Sequence, residues 1–193
     1  GCSSSSKIAT KDNGKIEINF LQINDVYEIA PIANGREGGM ARVATLKKQL
    51  LQTNPNTLMV IAGDFLSPSI YNSLKYNGEG IKGAQMVDAL NVAGLDIAVF
   101  GNHEFDLKEV DLQNRINESN FKWISSNSFH KSGTTIMPFA KTNDGGFSPF
   151  PETMILNFKD ADGTEAKVGF IGINIPFTKM PYVTYTDPLA TAV

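Results

Sequence analysis

Cysteine is almost absent from this 193-residue chain, and the one present, Cys2, has no second thiol to pair with. An internal disulfide and a CxxC-type zinc site are thereby excluded. Histidine is nearly as scarce: there are two, His103 and His130, so metal chemistry in this chain must draw mainly on oxygen donors. No apolar run approaches the roughly 18 residues that span a bilayer. No Lys/Arg block is available to follow a nucleic-acid backbone, and 17 basic side chains face 20 acidic ones for a net charge of -3. Nucleic acid is therefore not expected as a partner. The remaining composition, 41% hydrophobic and 19% charged, is that of a globular domain long enough to bury one substantial core.

The apolar patterning predicts strands alternating with helices. Residues 16–23, 58–62 and 96–100 read as buried strands, and 121–125 as a shorter one. A helix is expected over about 39–52, with Met40, Val43, Leu46 and Leu50 inward and Lys47, Lys48 and Gln49 in water. A second is expected over roughly 82–93, with Met86, Leu90 and Ala93 buried and Gly94 as its C-cap. A third is expected to begin at Asp106, burying Val110, Leu112 and Ile116. Beyond Asn127 the pattern turns antiparallel, with 152–158 and 167–173 flanking a hairpin turn at Asp162-Gly163. A last helix is expected to start after Asp187-Pro188.

Three of the strands end in polar turns: Asn24-Asp25, Gly63-Asp64 and Gly101-Asn102-His103-Glu104. In open α/β sheets ligands gather at such strand ends. Asp25 and Asp64 offer hard carboxylate oxygens, Asn102 an amide oxygen and His103 an imidazole, a mixed set suited to Zn, Mn, Fe or Mg. Two ions about 4 Å apart, sharing a carboxylate, can stabilise both attacking and leaving oxygens in an in-line displacement. Asp64, on the middle strand end, is the natural bridging ligand. His103 is alternatively an acid just outside the metal shell, oriented by Asp106 three residues on. Taken singly, each Asp or Asn here also reads as a turn former or helix cap. A metal-dependent hydrolase explains their recurrence at three strand ends.

The segments LQINDVYE (21–28), VIAGDFLSPS (60–69) and FGNHEFDLK (100–108) resemble the first three motifs of bacterial 5′-nucleotidases, within the calcineurin-like metallophosphoesterases. IGINIPF (171–177) and YTDPLATA (185–192) resemble later stretches of the same N-terminal catalytic domain. The resemblance implies an α/β fold, the N-terminal portion of a four-layer αββα sandwich, over residues 16–193. It implies hydrolysis of phosphate monoesters, most naturally nucleotides, by a binuclear metal site. Asp25 would then ligate the first ion, Asp64 bridge both and Asn102 ligate the second, with His103 stabilising the transition state and Asp106 holding it. A parallel dinucleotide-binding domain is the structural alternative, but no GxGxxG follows the first strand.

Two departures from that family matter. Its first motif reads Asp-x-His, whereas this chain has Asp25-Val26-Tyr27; Tyr27 either ligates as a phenolate or faces the pocket without ligating. The family's later histidine ligands would have to follow Val193, and His130 matches none of their motifs and reads as a surface residue. The site is therefore expected to be partial, completed by a second copy of the chain or by further C-terminal sequence. The functional alternative is a non-catalytic binding or structural domain descended from the same fold. Cys2 followed by four serines resembles the mature start of a bacterial lipoprotein, so residues 1–15 are expected to be a flexible tether. Lipidation at Cys2 would place the domain in the periplasm or at the cell surface.

Overall fold

The structure is a computed structural model that describes residues 12–177 and 180–193. Cys2 and the serines after it lie outside the described residues. Of the stretch read as a tether, residues 12–15 are described, and Asn13 donates its N–H to Asp162 Oδ2 at 3.2 Å.

The central sheet contains β1 (Asn19–Ile23), β2 (Thr57–Ala62), β3 (Ile97–Val99) and β4 (Lys122–Ile124). All four are parallel and lie side by side in chain order. Helices α1 (Met40–Thr53), α2 (Ala84–Ala93) and α3 (Glu109–Glu118) make the three crossovers. Right-handed crossovers between successive neighbours place every helix on the same face of the sheet. The burial agrees: Met59, Ile61, Ala98 and Trp123 share one core with Met86, Leu90, Leu112 and Ile116.

Beyond β4 the pairing becomes antiparallel. β5 (Ser128–Ser132) pairs with β6 (Thr135–Met137), β7 (Thr153–Lys159) with β8 (Glu165–Ile171), and β9 (Val183–Tyr185) returns to β5. The β7–β8 hairpin lies on the helix-free face of the central sheet, where Phe170 meets Phe20 edge-on at 6.0 Å. The two layers leave a cavity of about 130 Å³ between Val60, Ala62, Val99 and Phe170. As expected, the hairpin turns through Asp162-Gly163, and Asp160 Oδ1 accepts the N–H groups of Asp162, Gly163 and Thr164. The final helix, α4 (Pro188–Ala192), is capped by Asp187, which accepts the Ala190 N–H at 2.7 Å.

Several expectations are corrected. In α1 the inward residues are Met40, Val43, Ala44 and Lys47, whereas Leu46 is exposed. Residues three and four apart share a helix face, so the face that carries Met40 and Val43 carries Lys47 as well. Its ammonium donates to the Gly94 carbonyl and to Asp96 Oδ2 at 2.6 Å, and Asp96 Oδ2 also accepts the Met59 N–H. α3 begins at Glu109, not at Asp106, which closes a separate 3₁₀ turn over His103–Asp106. The inward face of α3 is Leu112, Arg115 and Ile116, leaving Val110 exposed on the opposite side. His130, expected at the surface, is half-buried there: on β5, its side chain is 23% exposed, its Nε2 lies 2.6 Å from Glu109 Oε1 and its ring packs on Phe139.

The Lys47 contact joins the end of α2, the start of β3 and β2. Removing one partner of a buried ion pair strands the other, but Asp96 keeps the Met59 N–H and a side chain that is 35% exposed. Lys47→Ala is therefore expected to cost about 1–3 kcal/mol, read as a lower urea midpoint with an unchanged m-value.

Candidate metal-centred active site at the strand ends

The three polar turns meet at the carboxyl ends of β1, β2 and β3. The Asp25 N–H donates to the Gly63 carbonyl at 3.2 Å, joining the first two, and the His103 N–H donates to Asp64 Oδ1 at 2.8 Å, joining the last two. Asp25 and Asp64 both have left-handed backbones, with φ of 53° and 59°. Such a conformation costs a non-glycine residue about 1–2 kcal/mol and is concentrated at functional sites. Two glycines make the approach of the loops feasible. A Cβ on Gly63 would lie 2.3 Å from the Gly101 nitrogen, and one on Gly101 would lie 2.2 Å from Asp64 Oδ1.

Glu104 holds this junction from beneath. It is fully buried, and its carboxylate accepts four backbone N–H groups. Oε2 takes those of Asp64 (2.8 Å) and Gly101 (2.7 Å), and Oε1 those of Phe65 (2.7 Å) and Leu66 (3.1 Å). Burial pushes its carboxyl pKa up, and the four N–H donors pull it back. The motif reading assigned no role to Glu104. A cue was present, since a Glu can reach back to a backbone N–H three residues earlier, as in a capping box, and Glu104 does so to Gly101. Phe100 fixes the end of β3 by packing on Phe105, Phe139 and Trp123 at centroid separations of 4.8–5.0 Å.

On the solvent side, His103 Nδ1 lies 2.6 Å from Asp106 Oδ2, within the same 3₁₀ turn. That hydrogen bond, more than any other contact, raises the pKa of the imidazole. Tyr27 donates its hydroxyl to Asp25 Oδ1 at 3.0 Å, and its ring stands edge-on to His103, centroids 6.2 Å apart. Burial first, then the bond to Asp25, pushes the phenol up to about 12. Asn24 Nδ2 donates to the other Asp25 oxygen at 2.6 Å. The structure thus brings Asp25, Tyr27, Asp64, His103 and Asp106 into one connected cluster, with Asn102 in the backbone between Gly101 and His103. His130 lies apart from it, bonded to α3.

The residues present fit a hard divalent ion in kind: the Asp25 and Asp64 carboxylates lie at one junction, with the amide residue Asn102 next to Gly101 in the chain. They fall short in number, since among the described residues no three His, Cys, Asp or Glu side chains form a metal cage.

The calcineurin-like phosphoesterase family model matches residues 18–164. The chain belongs to this family. The chain is 29% identical to 5′-nucleotidase from Bos taurus over 176 residues, covering 86% of this chain and 28% of that protein. It is also 29% identical to the trifunctional nucleotide phosphoesterase protein YfkN of Bacillus subtilis over 149 residues, 72% of this chain and 9% of that one. Among solved structures, the 5′-nucleotidase precursor from Thermus thermophilus superposes with a TM-score of 0.68 at 21% identity, covering 91% of this chain and 33% of that one. Haemophilus influenzae NAD nucleotidase gives 0.68 at 21%, covering 92% and 34%. These neighbours establish the calcineurin-like phosphoesterase fold, of which this chain spans about a third or less of each relative's length.

Glu104→Gln replaces one acceptor oxygen of the buried junction by an NH₂ group facing two N–H donors. It is expected to destabilise the domain by about 2–4 kcal/mol, measured by urea denaturation. A variant as stable as the parent would show that the loops hold without the anion.

Proposed function

We propose that this chain is part of the catalytic domain of a metal-dependent phosphomonoesterase acting on nucleotides. The observation that carries the reading is the junction itself, where two strained aspartates and a His–Asp pair meet at the strand ends of a calcineurin-like phosphoesterase domain. Asp25, Asp64 and Asn102 would hold the metal, whether Zn, Mn, Fe or Mg, and Asp64 would serve as the bridge. When bound, such ions supply Lewis acidity to a phosphoryl group and its attacking and leaving oxygens.

The chain's own residues do the rest. His103 presents Nε2 to the leaving oxygen while Asp106 fixes Nδ1 and favours the protonated ring. Tyr27, where the family carries histidine, keeps its proton, orients Asp25 and borders His103 without ligating. The remaining ligands are proposed to come from further sequence of a longer protein or from a second copy of this chain. The nucleotide preference is inferred from relatives named as nucleotidases. A lipid on Cys2, holding the domain outside the cytoplasm, is part of the same proposal and is supported by the Cys-Ser-rich start.

The deciding test is saturable binding of Mn²⁺ together with phosphate release from nucleoside monophosphates. Both are expected to be lost in Asp64→Ala, and a parent chain that does neither would show that this chain alone is a scaffold fragment or a metal-free descendant, leaving catalysis to a longer protein. His103→Gln is expected to lower kcat by about 10²–10⁴-fold. Activity should fall as pH rises through the His103 pKa, because the acid form is then lost. Asp106→Asn removes the main cause that raises this pKa, so the alkaline limb of the rate profile should move to lower pH. An unmoved limb would separate Asp106 from the proton transfer.

A further inference from the structure

A buried asparagine far along the chain, Asn174, reaches the Gly101 carbonyl and is held in turn by a second, Asn127. Asn127 and Asn174 are 0% and 5% exposed. Asn174 donates its N–H to Asn127 Oδ1 (2.8 Å), and Asn127 Nδ2 donates back to the Asn174 carbonyl (2.7 Å). Asn174 Nδ2 then donates to the Gly101 carbonyl at 3.0 Å. Asn127 is itself fixed, since its carbonyl accepts the Thr186 N–H at 3.0 Å. The orientation of both amides is unambiguous, because each nitrogen faces a backbone carbonyl and the Asn127 oxygen faces an N–H.

Gly101 is thus held at both ends, its N–H by Glu104 Oε2 and its carbonyl by Asn174 Nδ2. That carbonyl belongs to the peptide plane that leads into Asn102. Rotation of the plane would turn the Asn102 backbone and disturb the His103 N–H bond to Asp64 Oδ1. A donor this deeply buried, spent on a glycine carbonyl 73 residues away, is more than the local turn at residue 174 requires.

The structure assigns Asn174, locked in place by Asn127, as a positioning residue that sets the Gly101–Asn102 peptide plane for ligand binding at the strand ends. This rests on the phosphoesterase reading above and extends it to a residue that touches neither metal nor substrate. Outer partners of this kind typically change metal affinity by 10–100-fold.

The test uses Asn174→Leu, which removes the donor at similar size, and Asn174→Ser, a milder change should the first fail to fold. Lys47→Ala serves as a control that destabilises the fold remotely. Mn²⁺ titration is read alongside the amide NMR shifts of Asn102 and His103. Support is a Mn²⁺ affinity at least tenfold weaker in a folded Asn174 variant, with displaced Asn102 and His103 amides, while Lys47→Ala binds like the parent. Parent-like affinity in a folded Asn174 variant overturns the assignment, and so does an equal loss in Lys47→Ala. If the parent chain itself binds no Mn²⁺, the reading that this chain holds metal by itself fails. Displaced amides in the Asn174 variants would then still support the positioning role, and unmoved amides would overturn it.

Discussion

A single buried carboxylate organises the functional end of this domain. Glu104 sits where four backbone N–H groups from two loops point inward, and each would be a costly orphan in an apolar core. The carboxylate carries the right number of lone pairs to satisfy all four. It forces the loop after β2 and the loop after β3 to adopt one relative position, which brings the Gly63 and Gly101 backbones into direct contact. Asp64 is fixed by the same act, because its own N–H is one of the four. The left-handed backbone at Asp64 can persist because the neighbouring structure over-determines it.

The solvent side of the junction is built on this base. The 3₁₀ turn that buries Glu104 turns His103 outward and places Asp106 beside its ring. A tight turn with acidic residues at alternate positions thus places a carboxyl group inside against four backbone N–H groups and a His–Asp pair outside. Tyr27 joins the first strand end to this pair, bonded to Asp25 and edge-on to His103. Burial and the carboxylate beside it both push its phenol pKa up.

Much of the fold was legible because parallel strands buried between layers read as continuous apolar runs, and polar turns closed each of them. Where reading failed, the cause was geometric. Lys47 was assigned to water because lysine usually is, yet its long stem covers apolar surface while its ammonium reaches Asp96. Asp106 reads as a helix start because an acid before an apolar-periodic run resembles a cap. A short 3₁₀ turn shifts the helix to Glu109 and exposes Val110. His130 carried no motif, and its pairing with Glu109 depends on β5 packing beside α3, a relation between segments 21 residues apart.

The sequence by itself determined the alternation of strands and helices, the three acidic or amide turns at strand ends, and the family to which their motifs point. Those are local properties, written in apolar period, turn chemistry and short motifs. Only the tertiary structure decided that Glu104 faces the core while His103 and Asp106 face out, that Tyr27 bonds Asp25, and that Asn174, held by Asn127, reaches back to Gly101. Each of these depends on which backbone donors and acceptors lie opposite one another after folding. A side chain's type sets what it can bond, but its partner is chosen by the packing of segments that the sequence keeps far apart.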